Sequence, residues 1–107
     1  MSFLLFYITH PDQATAERIS GELVTQKLVA CANCFSIESA YWWEGAIAQE
    51  GEWVSLVKTT LANENKVEEY VQKAHPYTTP CILRMEVRAN AAYEQWIQDS
   101  VEGKQRI

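Results

Sequence analysis

Two long runs of strand-forming residues, separated by a single turn, restrict this chain more than any other feature. Val29–Trp43 is built of small, β-branched and aromatic residues and contains no proline. Glu44-Gly45 marks a turn, and Ile47–Leu61 is a second run of the same kind, bent near Gly51. A strand of about fourteen residues at about 3.3 Å per residue is about 45 Å long. A domain of about 100 residues has a radius of gyration near roughly 13 Å. In a chain of 107 residues, such a hairpin must project past its own core. Tyr41, Trp42, Trp43 and Trp53 then form a long aromatic edge that is prone to aggregate unless a partner covers it. Subunit contact accounts for this better than nucleic-acid stacking, because the formal charge is -5 and no Lys/Arg cluster is present.

The flanking segments supply the remaining layers. Phe3–Ile8 is a continuous apolar run ended by His10-Pro11-Asp12 and predicts a strand buried on both faces. Asp12 offers a helix N-cap, and Ala16, Ile19, Leu23 and Val24 follow at helical spacing. Val67, Tyr70, Val71 and Ala74 form one face of a second helix, with Asn63 as its cap and Pro76 as its stop. Ile82–Ala89 alternates, with Leu83, Met85 and Val87 on one face and Arg84, Glu86 and Arg88 on the other. That pattern predicts a half-buried strand. Tyr93, Trp96, Ile97 and Val101 line a last helix that Gly103 ends, and the tail from Lys104 reads as loose. The order is that of an α+β, ferredoxin-like βαββαβ sandwich with an extended central hairpin and a C-terminal helix. Residues 1–107 read as a single domain.

Three cysteines are too few and too odd a number for a secreted disulfide scaffold. The N-terminus has no basic region and no apolar run long enough for a signal or a membrane span. These features predict a cytoplasmic protein with reduced thiols and no membrane partner. Cys31 and Cys34 make a C-x-x-C pair, but positions an odd number apart on a strand face opposite ways. Such a pair can neither chelate one ion nor join as a disulfide. Both are read as small buried thiols.

The loop from His75 to Cys81, HPYTTPC, carries an imidazole and a thiol between two prolines. His75 and Cys81 are the candidate metal ligands, and their donor types favour copper or zinc over magnesium or calcium. The competing reading makes His75 a helix C-cap with Tyr77 packed across the loop. His10 reads as a solvated loop histidine, and Glu44, Glu50, Glu52 and Lys58 as solvated strand positions. No Ser/His/Asp order, phosphate loop or facing carboxylate pair points to an enzyme.

Several stretches together resemble the CutA family of divalent-cation tolerance proteins. They are Thr9 with Pro11-Asp12 and Ala14, Ala30-Cys31-Ala32-Asn33, Tyr41 with Trp43-Glu44-Gly45, and Glu50. Lys58-Thr59-Thr60, His75-Pro76-Tyr77 with Pro80, and Tyr93 with Trp96 complete them, in order over almost the whole chain. The resemblance implies a ferredoxin-like subunit, a homotrimer built through the long hairpins, a cytoplasmic location, and a non-enzymatic response to divalent metal ions such as copper (Cu2+). It also implies a likeness to the trimer of PII signalling proteins. A PII-like module with a small ligand at the subunit clefts, or a structural or anchoring trimer, are the alternatives. Some members carry a cysteine near the end of the first strand and a glutamate after the second loop proline, proposed as copper ligands with the loop histidine. Ile8 and Cys81 stand there in this chain, so His75 alone carries over and Cys81 substitutes as a soft donor.

Overall fold

The computed structural model describes residues 2–104. The tail read as loose lies, from Gln105 onward, outside the described residues. Eight elements follow one another: β1 (Phe3–His10), α1 (Gln13–Thr25), β2 (Cys31–Trp43), β3 (Ala46–Thr59), a 3-10 turn (Leu61–Asn63), α2 (Glu64–Ala74), β4 (Ile82–Val87) and α3 (Ala91–Glu102). The strands form one antiparallel sheet in the order β2-β3-β1-β4. This is the ferredoxin-like α+β arrangement that the element order predicts.

The register assigns the faces. Leu4, Phe6, Ile8 and His10 on β1 sit opposite Thr59, Val57, Ser55 and Trp53 on β3. This row faces α1 and α2, where Ile19, Leu23, Val67 and Val71 complete a core with Leu4, Phe6, Ile8 and Val57. Each fully buried side chain of this size contributes roughly 1.5–3 kcal/mol relative to exposure. α1 begins where Asp12 Oδ1 accepts the Thr15 N–H at 2.8 Å, the expected N-cap. Asn63 occupies the N-cap position of α2 without capping it through its side chain. Its amide instead donates to Leu28 O at 3.1 Å, beside Thr59 Oγ1 at 2.7 Å on the same carbonyl. That carbonyl thus joins the end of β3 and the start of α2 to the segment leaving α1.

The second face of the sheet is only partly covered. α3 lies over one end of it, where Phe3 meets Tyr93 edge-on and Lys58 Nζ donates to Tyr93 Oη at 3.2 Å. Lys58 is therefore a half-buried, engaged side chain and not a solvated one. Beyond α3 the face carries Leu83 and Met85, exposed by 48% and 41%.

The alternation of β4 thus has the opposite sense from the one its hydropathy suggests. The polar side faces the helices because Arg84 lies over the Phe6 ring and pairs with Glu64 at 2.8 Å and with Glu68 on α2. A long guanidinium can cover apolar surface while its head stays with carboxylates.

β2 and β3 run together for thirteen residue pairs, from Cys31↔Lys58 to Trp43↔Ala46. Glu44 and Gly45 close the hairpin with φ of 50° and 81°. Positive φ at both central residues is the primed two-residue turn whose twist matches the strands. The chain measures 49 × 23 × 22 Å, so the hairpin does project. Trp42 and Trp43 near its tip are exposed by 74% and 62%.

Candidate functional site

The functional candidates gather where β1 ends and the α2–β4 connection turns back over the sheet. Proline at 76 forbids continuation of α2, and the His75 N–H makes the last helical bond, to Val71 O at 2.9 Å. The His75 ring does not serve the helix end. Nε2 donates to Thr9 O at 2.7 Å, and Nδ1 accepts the Tyr77 N–H at 3.1 Å. The two bonds select the neutral tautomer protonated on Nε2. Burial holds its pKa below the usual histidine value, against the opposing pull of the Thr9 carbonyl. Tyr77 packs on the ring at a centroid distance of 4.9 Å, as the loop reading expects.

His10 corrects its sequence reading. It is not a solvated loop residue but the last, fully buried residue of β1, paired with Trp53. His-Pro-Asp reads as a loop, yet the ladder to β3 carries the strand through the histidine. Its Nε2 lies 2.8 Å from Ser55 Oγ, and its ring stacks on His75 at 5.2 Å. Nδ1 is buried without a partner among the described residues. Burial first, and then the neighbouring His75 and Arg18 charges, lower the His10 pKa to about 4.

Cys81 is exposed and lines an open cleft of about 830 Å³ between the loop and the projecting hairpin. Tyr7, Tyr41, Trp43, Glu52 and Tyr77 also border it. Glu52 is another correction: it is only 9% exposed, and its Oε2 accepts the Tyr77 hydroxyl at 3.0 Å. Burial first, and then Glu52, push the Tyr77 pKa up, so the phenol stays protonated. The hydrogen bond to Glu50 is the main cause that pushes Tyr41 up to about 12. Sequence reasoning missed Glu52 although a signal was present. It shares strand parity with Val54 and Leu56, so it continues an apolar row.

Cys31 and Cys34 face opposite sides of the sheet, as expected. Cys31 is aligned with Lys58 in the α3-side row, whereas Cys34 Sγ approaches Ser20 Oγ of α1 at 3.4 Å.

The fit to a metal ion is incomplete within one chain. A neutral imidazole ligates through its unprotonated nitrogen. In His75 that atom already holds the Tyr77 N–H. Among the described residues no group of three or more His, Cys, Asp or Glu side chains is placed to hold an ion. Structural metal sites take about four donors.

Strand order, an overlong hairpin and two sheet-crossing helices define a ferredoxin-like protein whose loop and arm enclose an open cleft. The family model of the CutA1 divalent ion tolerance protein matches residues 4–100. The chain belongs to that family. It is 39% identical over 99 residues to the divalent-cation tolerance protein CutA of Thermotoga maritima, covering 92% of this chain and 98% of that protein. It is 41% identical over 97 residues to the corresponding protein of Archaeoglobus fulgidus, covering 90% and 95%. The crystal structure of CutA1 from Ehrlichia chaffeensis superposes with a TM-score of 0.89 at 39% identity, over 92% of this chain and 94% of that one.

Proposed function

We propose that residues 1–107 form one ferredoxin-like domain of a non-enzymatic homotrimer that takes part in the response to divalent cations, copper foremost. Family membership supports the divalent-cation part. The observation that carries the assembly is the uncovered sheet face, where Leu83, Met85 and Phe35 lie exposed and continue toward the aromatic arm. Exposed apolar surface of this extent is characteristic of a protein interface. A three-fold arrangement brings loop residues of neighbouring chains together. His75 and Cys81 are the ligands proposed from each chain, and the neighbour supplies the donors that one chain lacks. Ligation by His75 displaces the Tyr77 N–H, so binding is weak and coupled to loop opening. The three free thiols suit a reducing compartment, and we place the protein in the cytoplasm. Among the described residues no helix is long and apolar enough to cross a membrane.

Light scattering coupled to size exclusion tests the trimer, and a monomer at micromolar concentration overturns it. Calorimetry with Cu2+ and Zn2+ on the wild type, His75→Ala and Cys81→Ser tests the ligands. Loss of binding in either variant supports the assignment, and equal binding in all three removes both residues from the site.

A further inference from the structure

We propose, on the basis of the homotrimer reading, that each chain lends Lys58 to the root of its neighbour's arm, where the ammonium pairs with Glu52 of the partner subunit. Strand alternation puts Glu50, Glu52 and Lys58 in one row with Val54 and Leu56, on the sheet face turned away from α1 and α2. Neither Glu52 nor Lys58 meets an opposite charge in its own chain. The Glu52 carboxylate is only 9% exposed and is bonded to the Tyr77 hydroxyl, a neutral phenol that cannot balance it. The Lys58 ammonium meets the Tyr93 hydroxyl at 3.2 Å and the Tyr93 ring at 5.4 Å, and forms no ion pair among the described residues. The two stand six residues apart on one strand, about 20 Å, so they cannot reach each other. Docking this face on another chain withdraws both from water, and a desolvated charge is costly without a counter-charge.

The charges on the strands select the partner. Lys58 and Arg84 are the only Lys or Arg residues in β1 to β4. Arg84 is turned to the helices, where Glu64 and Glu68 hold it. Lys58 is therefore the one cation that the strands present on the docking face. The arm, residues 36–52, carries Glu38, Glu44, Glu50 and Glu52 and no Lys, Arg or His. One pole of the face is thus acidic and aromatic, and the other is apolar with a single lysine. A closed three-fold ring is built of head-to-tail contacts, in which two different patches of each chain meet. These poles form such a pair, whereas like pole on like pole would set carboxylate against carboxylate. Glu52 is the acceptor because Tyr77 fixes it out of solvent, while Glu50 is exposed and bonded to the Tyr41 hydroxyl. Tyr77 belongs to the His75–Cys81 loop, so each loop site gains a basic side chain from a second chain.

Glu52→Lys and Lys58→Glu each set like charges against one another and should abolish trimers at micromolar concentration in light scattering. The double variant Glu52→Lys/Lys58→Glu should restore them. An equimolar mixture of the two single variants should form mixed assemblies, because a contact between unlike chains regains opposite charges. Mixing cannot repair a defect confined to one chain, so this recovery separates the pair from a role inside the subunit. No recovery in the double variant or in the mixture overturns the pair. If Glu52→Lys does not fold, Glu52→Gln, Lys58→Gln and their double variant give the answer through the concentration dependence of melting. Each single variant should weaken assembly about tenfold or more, and the double no further than the weaker single. Additive losses, or none, overturn the pair. A monomeric wild type overturns the homotrimer reading itself, whereas a wild-type trimer indifferent to these substitutions overturns the Lys58–Glu52 contact alone.

Discussion

The two ends of β3 obey the same pairing rules and live in different surroundings. From Trp53 to Lys58 the strand pairs with both β1 and β2, and its residues are buried or half-buried. From Ala46 to Gly51 it pairs with β2 alone, and only Ala48 is even half-buried. Both halves are regular strand. Hydrogen-bond pairing and β propensity therefore suffice to shape the arm, but burial within the chain does not hold it. A two-stranded ribbon is at best marginally stable by itself in water. The base stands on its own core, and the arm depends on what lies against it.

Truncation in the base should give the largest effect. Phe6→Ala removes a fully buried ring beneath α1 and α2 and should cost about 3–5 kcal/mol in denaturant melts. A loss below about 1 kcal/mol would mean that the base is not the stable half.

Acid should also act on the base, through His10. Its folded pKa of about 4 lies below the 6.5 of the unfolded chain. The unfolded state therefore takes up the proton first as pH falls. The contribution of the neutral ring is complete above about 6.5 and is lost progressively down to about 4, roughly 3 kcal/mol in all. His75 is lowered in the same sense, whereas the Asp12 carboxylate beside His10 pulls the other way. Melts between pH 7 and pH 4 on wild type and His10→Gln check this, since the variant should show a shallower pH slope. Equal slopes would remove His10 from the acid response.

In the arm, Trp43→Ala should leave the fold of the base intact and cost about 2 kcal/mol or more of assembly. The readout is a melting temperature that varies more steeply with protein concentration, together with dissociation in light scattering. An unchanged melting curve would show that nothing covers Trp43. The smallest effect is expected at Asp12→Ala, where loss of the α1 cap should cost about 1 kcal/mol and leave assembly unchanged.

Most elements were legible because their signals are local. The 3.6-residue spacing of Val67, Tyr70, Val71 and Ala74 lies within α2, and the long proline-free runs cover β2 and nearly all of β3, overrunning them by two residues at Val29-Ala30 and at Thr60-Leu61. What failed depends on residues distant in sequence. Alternation in β4 separates two faces but does not say which one the helices cover. Glu64 and Glu68 decided that by drawing Arg84 inward. His10 is buried by a partner strand more than forty residues away, which no local pattern contains. The cleft was partly visible in the loop residues Tyr77 and Cys81, whereas His75 stacks on His10 outside the cleft lining. Its most buried carboxylate, Glu52, came from the opposite wall and is joined to the loop through the Tyr77 hydroxyl.

The Glu44-Gly45 turn has a consequence for the order in which the chain folds. Closing a loop costs more entropy as it lengthens, and hairpins form on the microsecond scale. Trp43 and Ala46 meet across two residues, whereas Phe3 must find Val87 across most of the chain. Contacts of high sequence separation are the slow ones. The ribbon farthest from the core is therefore the part whose closure is fastest, and the strand pair at the opposite edge closes last. A newly made chain can expose its aromatic arm to sister chains before the sheet that will carry it is complete.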